Sequence, residues 1–245
     1  MAPLQWQVAT VTALRSETKR VKTLTLLVPG WPSHRPGQHV DIRLTAEDGY
    51  QAQRSYSIAS APSAQPLIDL TVERVAGGEV SPFLHDELVA GDRFEMRGPI
   101  GGYFVWEAAA ADPLLLVAGG SGVVPLMAII RHRAQVASGV PCTLLYSSRS
   151  RDDVIYAAEL ERLNQRRDGL RVIYTFTRAE PPGWTGYSRR IDMSMLGEVI
   201  EGTGRMAQAF VCGPTPLVEV AARSLVDIGL AASQVRTERF GPTGG

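Results

Sequence analysis

At 245 residues the chain fits one large domain or two ordinary ones, and is long enough for a substantial core. Lys+Arg 25 against Asp+Glu 25 excludes a global pull toward nucleic acid or an acidic membrane surface, and 44% hydrophobic with 20% charged residues is a globular composition. No apolar run reaches the roughly 18 residues of a membrane span; Cys142 and Cys212, the only cysteines, cannot supply a four-thiolate iron–sulfur cluster, and no Cys/His spacing suggests a metal site.

The start, Met1 to Trp6, lacks the basic and apolar regions of a secretory signal, so a cytoplasmic protein is expected. From Gln5 to about Phe104 the chain reads as short β segments: Val8–Thr12, Val21–Val28, His39–Leu44 and Leu67–Val72 carry β-branched residues in partial alternation. Turn formers separate them, among them Pro29-Gly30, Pro36-Gly37, Asp48-Gly49, Gly77-Gly78 and Gly91-Asp92, and that spacing predicts a closed antiparallel barrel. Ser81 to Leu88 reads as a short helix with Ser81 as N-cap and Pro82 at its first position. Between the third and fourth strands lies Arg54-Ser-Tyr-Ser57, which offers a guanidinium, an aromatic ring and two hydroxyls; alone it reads first as a barrel edge with an exposed Arg and a packed Tyr, and only second as a ligand segment.

Glu107 to Asp112 is small and polar, a linker that places the boundary between residues 1–108 and 109–245. Beyond it, apolar runs at Leu114–Val117, Cys142–Tyr146, Leu170–Phe176 and Ala209–Val211 alternate with helical patterns near Val124–Ser138, Val154–Arg166, Asp192–Val199 and Pro216–Ile228. Alternating β and α segments predict a doubly wound α/β domain on a parallel sheet, with ligand at the carboxyl ends of its strands. The first run flows into Gly119-Gly-Ser-Gly-Val-Val-Pro125. Strand, glycine turn and helix start together make a phosphate site, since free amides and the helix dipole converge there; a glycine turn without ligand is the plainer reading of the motif alone. The pattern closes on proline rather than on the third glycine of the usual dinucleotide turn.

Arg54-Ser-Tyr-Ser57, Gly77-Gly-Glu-Val-Ser81, Gly98-Pro-Ile-Gly101, Gly119 to Pro125, Cys212-Gly-Pro214 and Glu238-Arg-Phe240 follow one another in a fixed order over essentially the whole chain. This set resembles the ferredoxin–NADP reductase superfamily, whose members join a flavin-binding antiparallel barrel to a nicotinamide-nucleotide domain. The resemblance implies that Arg54 pairs with the flavin pyrophosphate, Ser55 and Tyr56 line the flavin, and the Ser57 hydroxyl approaches N5, where hydride arrives. It implies backbone contacts to the pyrophosphate from Gly78, Glu79, Val80 and Ser81, and FAD rather than FMN; Trp106 is a candidate adenine platform or else a packed core residue. Gly119, Gly120, Ser121 and Gly122 are implied to meet the nicotinamide nucleotide's pyrophosphate. Cys212, with Gly213 and Pro214, is implied to stand by the nicotinamide ring, its alternative being a small buried core residue. Glu238 and Phe240 are implied to return to the flavin, Glu238 as a proton or charge group, and the chain continues past Phe240 through Gly245.

After Cys142–Tyr146, the hydroxyls and guanidiniums of Ser148, Arg149 and Arg151 suit a ribose 2′-phosphate, so NADPH is favoured with NADH as the alternative; Tyr156 either stacks on adenine or packs the next helix. The function implied is an oxidoreductase passing electrons from NADPH through FAD to a separate acceptor, first a ferredoxin. A reductase component of a multicomponent oxygenase or a free-flavin reductase comes second. A flavin-free interaction subunit and a flavin-free dehydrogenase are the rivals from other classes. His34, His39, His85 and His132 are scattered and read as structural or surface residues. Arg35, Arg93 and Arg97 read as a docking patch for an acidic carrier or as scattered surface charge.

Overall fold

The computed structural model describes residues 4–240, so residues 1–3 of the start compared with a secretory signal and the extension after Phe240 lie outside the described residues. It forms two compact units, one of residues 1–107 with 127–135 and one of residues 108–126 with 136–245.

The first unit is a six-stranded antiparallel sheet in the order β4-β3-β6-β1-β2-β5. Its strands are β1 (Gln7–Thr18), β2 (Val21–Leu27), β3 (His39–Thr45), β4 (Gln51–Ser57), β5 (Leu67–Glu73) and β6 (Arg93–Ile100). An isolated bridge between Ile58 and Leu70 joins the chain just past β4 to β5, drawing the two sheet edges together as the barrel reading expects. Alternation sets the inside: Val40 and Ile42 of β3 are buried in one cluster with Leu24, Leu26, Leu70 and Met96. Each such side chain contributes roughly 1.5–3 kcal/mol through the apolar area it removes from water. Helix α1 (Val80–Pro82) continues through a wider turn over Phe83–Glu87, and Val80 and Leu84 close the cluster. Arg54 to Ser57 forms the end of the edge strand β4.

Ser81 is not the N-cap of this helix. Glu79 holds that position, and the Ser81 hydroxyl accepts from the Val75 N–H at 3.1 Å, bracing the preceding turn instead. The expected sequence signal was real, a hydroxyl tying up a backbone donor, but the donor lies before the helix.

The second unit is a parallel sheet in the order β11-β10-β7-β8-β9. It comprises β7 (Leu114–Gly119), β8 (Cys142–Ser148), β9 (Leu170–Phe176), β10 (Gln208–Pro214) and β11 (Val235–Phe240), with the start of helix α2 (Val123–Gln135), whose residues 127–135 count with the first unit, and helices α3 (Ala157–Gln165), α4 (Met193–Thr203) and α5 (Thr215–Asp227). Every residue of β7 and β8 is buried, as a strand covered on both faces requires. On one face Leu115, Val117 and Val211 pack with Leu196, Val199, Val218 and Leu225 of α4 and α5. Helix α4 starts where Asp192 caps it, its carboxylate accepting from the Met195 N–H at 2.8 Å. The third helical stretch begins three residues later than its pattern suggests, because Tyr156 sits at φ 61 in the left-handed region and Val154 and Ile155 are buried ahead of the helix. The strand order reverses between β7 and β10, and such a switch point leaves a crevice at the strands' carboxyl ends.

Candidate functional site

Strand β4 pairs with β3 along one edge, Tyr56 opposite Val40 and Arg54 opposite Ile42. Side chains alternate, so Arg54 and Tyr56 share one face of the strand and Ser55 takes the other. Tyr56 packs against the barrel cluster, and burial pushes its phenol up to about 12 against the opposing charge of Arg54, so it stays a neutral ring. Arg54 is half exposed: Nη1 donates to the Gln53 carbonyl at 2.7 Å and Nη2 lies 3.6 Å from the Glu79 carboxylate. Ser57 is buried. Ser55 is committed elsewhere, its hydroxyl donating at 2.6 Å to Asp41, which also accepts from Gln53 and Arg97 on the outer face of the sheet.

The Gly77–Ser81 turn lies against this strand, since α1 packs on β4. Gly77 takes φ +75, and the Gly78 N–H donates to the Val75 carbonyl at 3.1 Å. A Cβ on Gly78 would come within 3.2 Å of that carbonyl and 3.3 Å of the Ser81 hydroxyl, so the turn is closed to side chains. A guanidinium beside the bare backbone of the tight Gly77-Gly78 turn is a donor set that fits a pyrophosphate. Trp106 does not join it: it is 1% exposed and packs edge-on against His132 at 5.8 Å, so it is the packed residue of the two readings, with no free face for adenine.

In the second unit the tertiary structure brings the glycine turn and Cys212–Pro214 into contact at the switch point. A Cβ on Gly122 would lie 2.1 Å from the Cys212 carbonyl oxygen, and one on Gly213 would lie 3.1 Å from the Gly119 backbone. Both approaches require glycine, and they hold the turn directly against the carboxyl end of β10. Gly120, at φ +53 with nothing near its missing Cβ, faces open space, and Ser121 is partly exposed beside it. Cys212 is wholly buried and pairs in register with Glu238 of β11, while Pro214 pairs with Phe240. Burial pushes the Cys212 thiol well up, helped by the nearby Glu238 charge, and burial raises Glu238 to about 7. The pair therefore presents a protonated thiol and a carboxyl group poised to exchange a proton near neutrality.

At the end of β8 the Ser148 hydroxyl donates to the Ser150 carbonyl at 3.0 Å, and Arg151 reaches Glu161 at 3.4 Å while lying over the Tyr174 ring. Tyr156 is 2% exposed, so it packs rather than presenting a stacking face. The Arg149 carbonyl accepts from the backbone N–H groups of Arg178 at 2.9 Å and Ala179 at 3.0 Å. Arg178, which follows β9, thus stands beside Arg149, and among the described residues neither guanidinium has an ion-pair partner. Sequence reasoning stopped at the β8 turn; the same rule of strand carboxyl ends, applied to Thr177-Arg178, would have found it.

With this geometry in place, comparison with known proteins is direct. Residues 9–105 match the model of the oxidoreductase FAD-binding domain, and residues 116–223 that of the oxidoreductase NAD-binding domain. The chain is 34% identical over 209 residues to ferredoxin–NADP reductase B of Sorangium cellulosum, covering 83% of this chain and 84% of that one. It is 34% identical over 210 residues to the glycine betaine monooxygenase reductase subunit of Pseudomonas aeruginosa, covering 85% of this chain; it spans only 57% of that relative's length. The FAD/NAD-binding domain of nitric oxide dioxygenase from Vibrio cholerae superposes with a TM-score of 0.85 at 23% identity, covering 96% of this chain and 99% of that one, which is a likeness of fold.

Proposed function

The chain belongs to the ferredoxin–NADP reductase superfamily, and from that premise we propose that it passes electrons from NADPH, in preference to NADH, through FAD to a separate one-electron acceptor such as a ferredoxin. The observation that carries this reading is the close approach of the Gly119–Gly122 turn to Cys212 at the carboxyl ends of β7 and β10, with Cys212 in register with Glu238. Bound FAD supplies a group that accepts two electrons together and releases them singly.

The chain's own residues do the rest. Arg54 and the Gly77–Ser81 turn hold the flavin's phosphates, and Tyr56 excludes water from the ring. The Ser57 hydroxyl offers a hydrogen bond at the flavin N5. Gly120, with nothing within 4 Å of its missing Cβ, leaves the turn of Gly119, Ser121 and Gly122 open to the nicotinamide nucleotide's pyrophosphate. Cys212, kept protonated, presents a small uncharged surface to the nicotinamide ring, Gly213 and Pro214 shape the strand end around it, and Phe240 covers the flavin. Glu238, with a proton affinity centred near neutrality, holds or releases the proton that accompanies flavin redox change. Arg149 and Arg178 grip the 2′-phosphate, with Ser148 supporting the turn.

Identity to the monooxygenase reductase subunit favours a second acceptor class, an oxygenase component in place of a ferredoxin. Of the three arginines of the docking patch, Arg35 is bound to Glu107 and Arg97 to Asp41, which among the described residues leaves Arg93 as the charge of the three open to an acidic carrier. The test is anaerobic addition of NADPH to the flavin-loaded protein. Loss of the visible flavin absorbance supports the proposal, and an unchanged spectrum refutes it. A purified chain that takes up no flavin would turn the reading toward an interaction subunit.

A further inference from the structure

We infer that Tyr50 is the platform on which the adenine of FAD stacks, an inference that rests on Arg54 taking the flavin pyrophosphate. Tyr50 directly precedes β4, and its backbone is fixed on both sides: its carbonyl accepts from the Ala46 N–H at 2.8 Å and its N–H donates to Asp48 at 2.9 Å. Alternation along the strand puts residues 50, 52, 54 and 56 on one face. Tyr56 is packed on the barrel cluster, Ala52 is small and buried, and Tyr50 is 55% exposed. Read along that face, the strand carries a buried aromatic ring, a guanidinium, a small residue, and then an exposed aromatic ring. FAD carries its groups in the same order: isoalloxazine, pyrophosphate, adenine.

Glu79 ties the far end of the row together. Its Oε1 accepts from the Tyr50 hydroxyl at 3.1 Å and its Oε2 lies 3.6 Å from Arg54 Nη2. One carboxylate therefore spans the ring and the guanidinium, which places the two within a single nucleotide's reach despite their four-residue separation. A phosphate arriving at Arg54 replaces Glu79 as its counter-charge and leaves Glu79 to orient the phenol. Trp106 offers no such face, as it is buried against His132. Tyr103 is also exposed, at 63%, but stands outside the β4 row and serves as the control.

FMN ends at its phosphate and has no adenine, so the two flavins separate stacking from every other contribution. The full chain, stripped of flavin, is titrated with FAD and with FMN while flavin fluorescence is followed. Tyr50→Ala is expected to raise the FAD dissociation constant about tenfold, within the range for losing one base–aromatic stack, and to leave FMN within about twofold. Tyr50→Phe is expected to keep both within about threefold, since the ring remains. Equal weakening for both flavins would mark Tyr50 as structural, and no weakening for FAD, or a loss that follows Tyr103→Ala instead, would also overturn the assignment. Arg54→Ala serves the underlying reading separately: it is expected to weaken both flavins. If it weakens neither, the pyrophosphate assignment fails whatever Tyr50→Ala does.

Discussion

Replacing Gly122 by alanine tests the geometry on which nucleotide binding depends. The new Cβ would stand 2.1 Å from the Cys212 carbonyl oxygen, 2.4 Å from its carbon and 2.7 Å from the Gly213 Cα. All three are backbone atoms, and Cys212 is fixed between Ala118 and Glu238 by strand pairing on both sides, so no side-chain rotation relieves the clash. The end of β10 must move away from the glycine turn. Inserting one carbon into a packed site typically costs about 1–3 kcal/mol, and this case belongs at or above the upper figure because the partner is sheet backbone. A loss of about 3 kcal/mol lowers the melting temperature of a domain of this size by roughly 6–12 °C. Two neighbours calibrate the measurement. Gly119→Ala meets chiefly the tip of Leu217, at 2.6 Å, which can rotate, so it is expected to cost less. Gly120→Ala meets nothing but stands at φ +53, so only the left-handed backbone cost of about 1–2 kcal/mol applies. Thermal melts of the three variants, with nicotinamide-nucleotide titrations, should rank Gly122→Ala as the most damaging in both. A Gly122→Ala protein as stable as Gly120→Ala would refute the close approach of the turn to β10.

Other expectations follow from single groups. Glu238 has its folded-state value raised from 4.5 to about 7, so the fold favours its protonated form. That contribution is fully present below about pH 4.5 and is lost as pH rises through about 7, amounting to at most about 3 kcal/mol; urea midpoints at pH 5 and pH 8 should converge in Glu238→Gln, and parallel pH profiles for the two proteins would contradict it. Arg149→Ala and Arg178→Ala should each reduce the ratio of kcat/KM for NADPH to that for NADH by about tenfold, the weight of one charged hydrogen bond; an unchanged ratio would remove them from the nucleotide site. Asp41 is 6% exposed and accepts from Ser55, Gln53 and Arg97, so Asp41→Ala should destabilise the first unit by about 2–3 kcal/mol in chemical denaturation, and a neutral effect would show that the network is dispensable.

What local sequence encodes was readable without coordinates. Leu114–Val117 is apolar throughout because a strand covered on both faces needs no alternation, and the glycines after it mark a turn that side chains cannot enter. The barrel strands His39–Thr45 and Leu67–Glu73 announced themselves by β-branched residues between turn formers. Strands β4, β6 and β11 did not, because Gln51–Ser57 is polar, Arg93–Ile100 contains glycine and proline, and Val235–Phe240 alternates weakly; pairing partners hold them as strands where propensity does not. The arrangement of the site belongs to the same category. That Ser55 turns to Asp41 while Arg54 turns to Glu79 follows from which neighbour lies on each face of an edge strand. That Gly122 abuts Cys212, Cys212 pairs with Glu238, and Arg178 bonds to Arg149 follows from strand order and register, which join residues up to 90 positions apart. Period and composition act over a few residues, so the sequence by itself determined which segments are buried strands and which turns are bare. Only the packing of whole strands decided which of those turns face one another, because that choice is made by long-range pairing and not by any local preference.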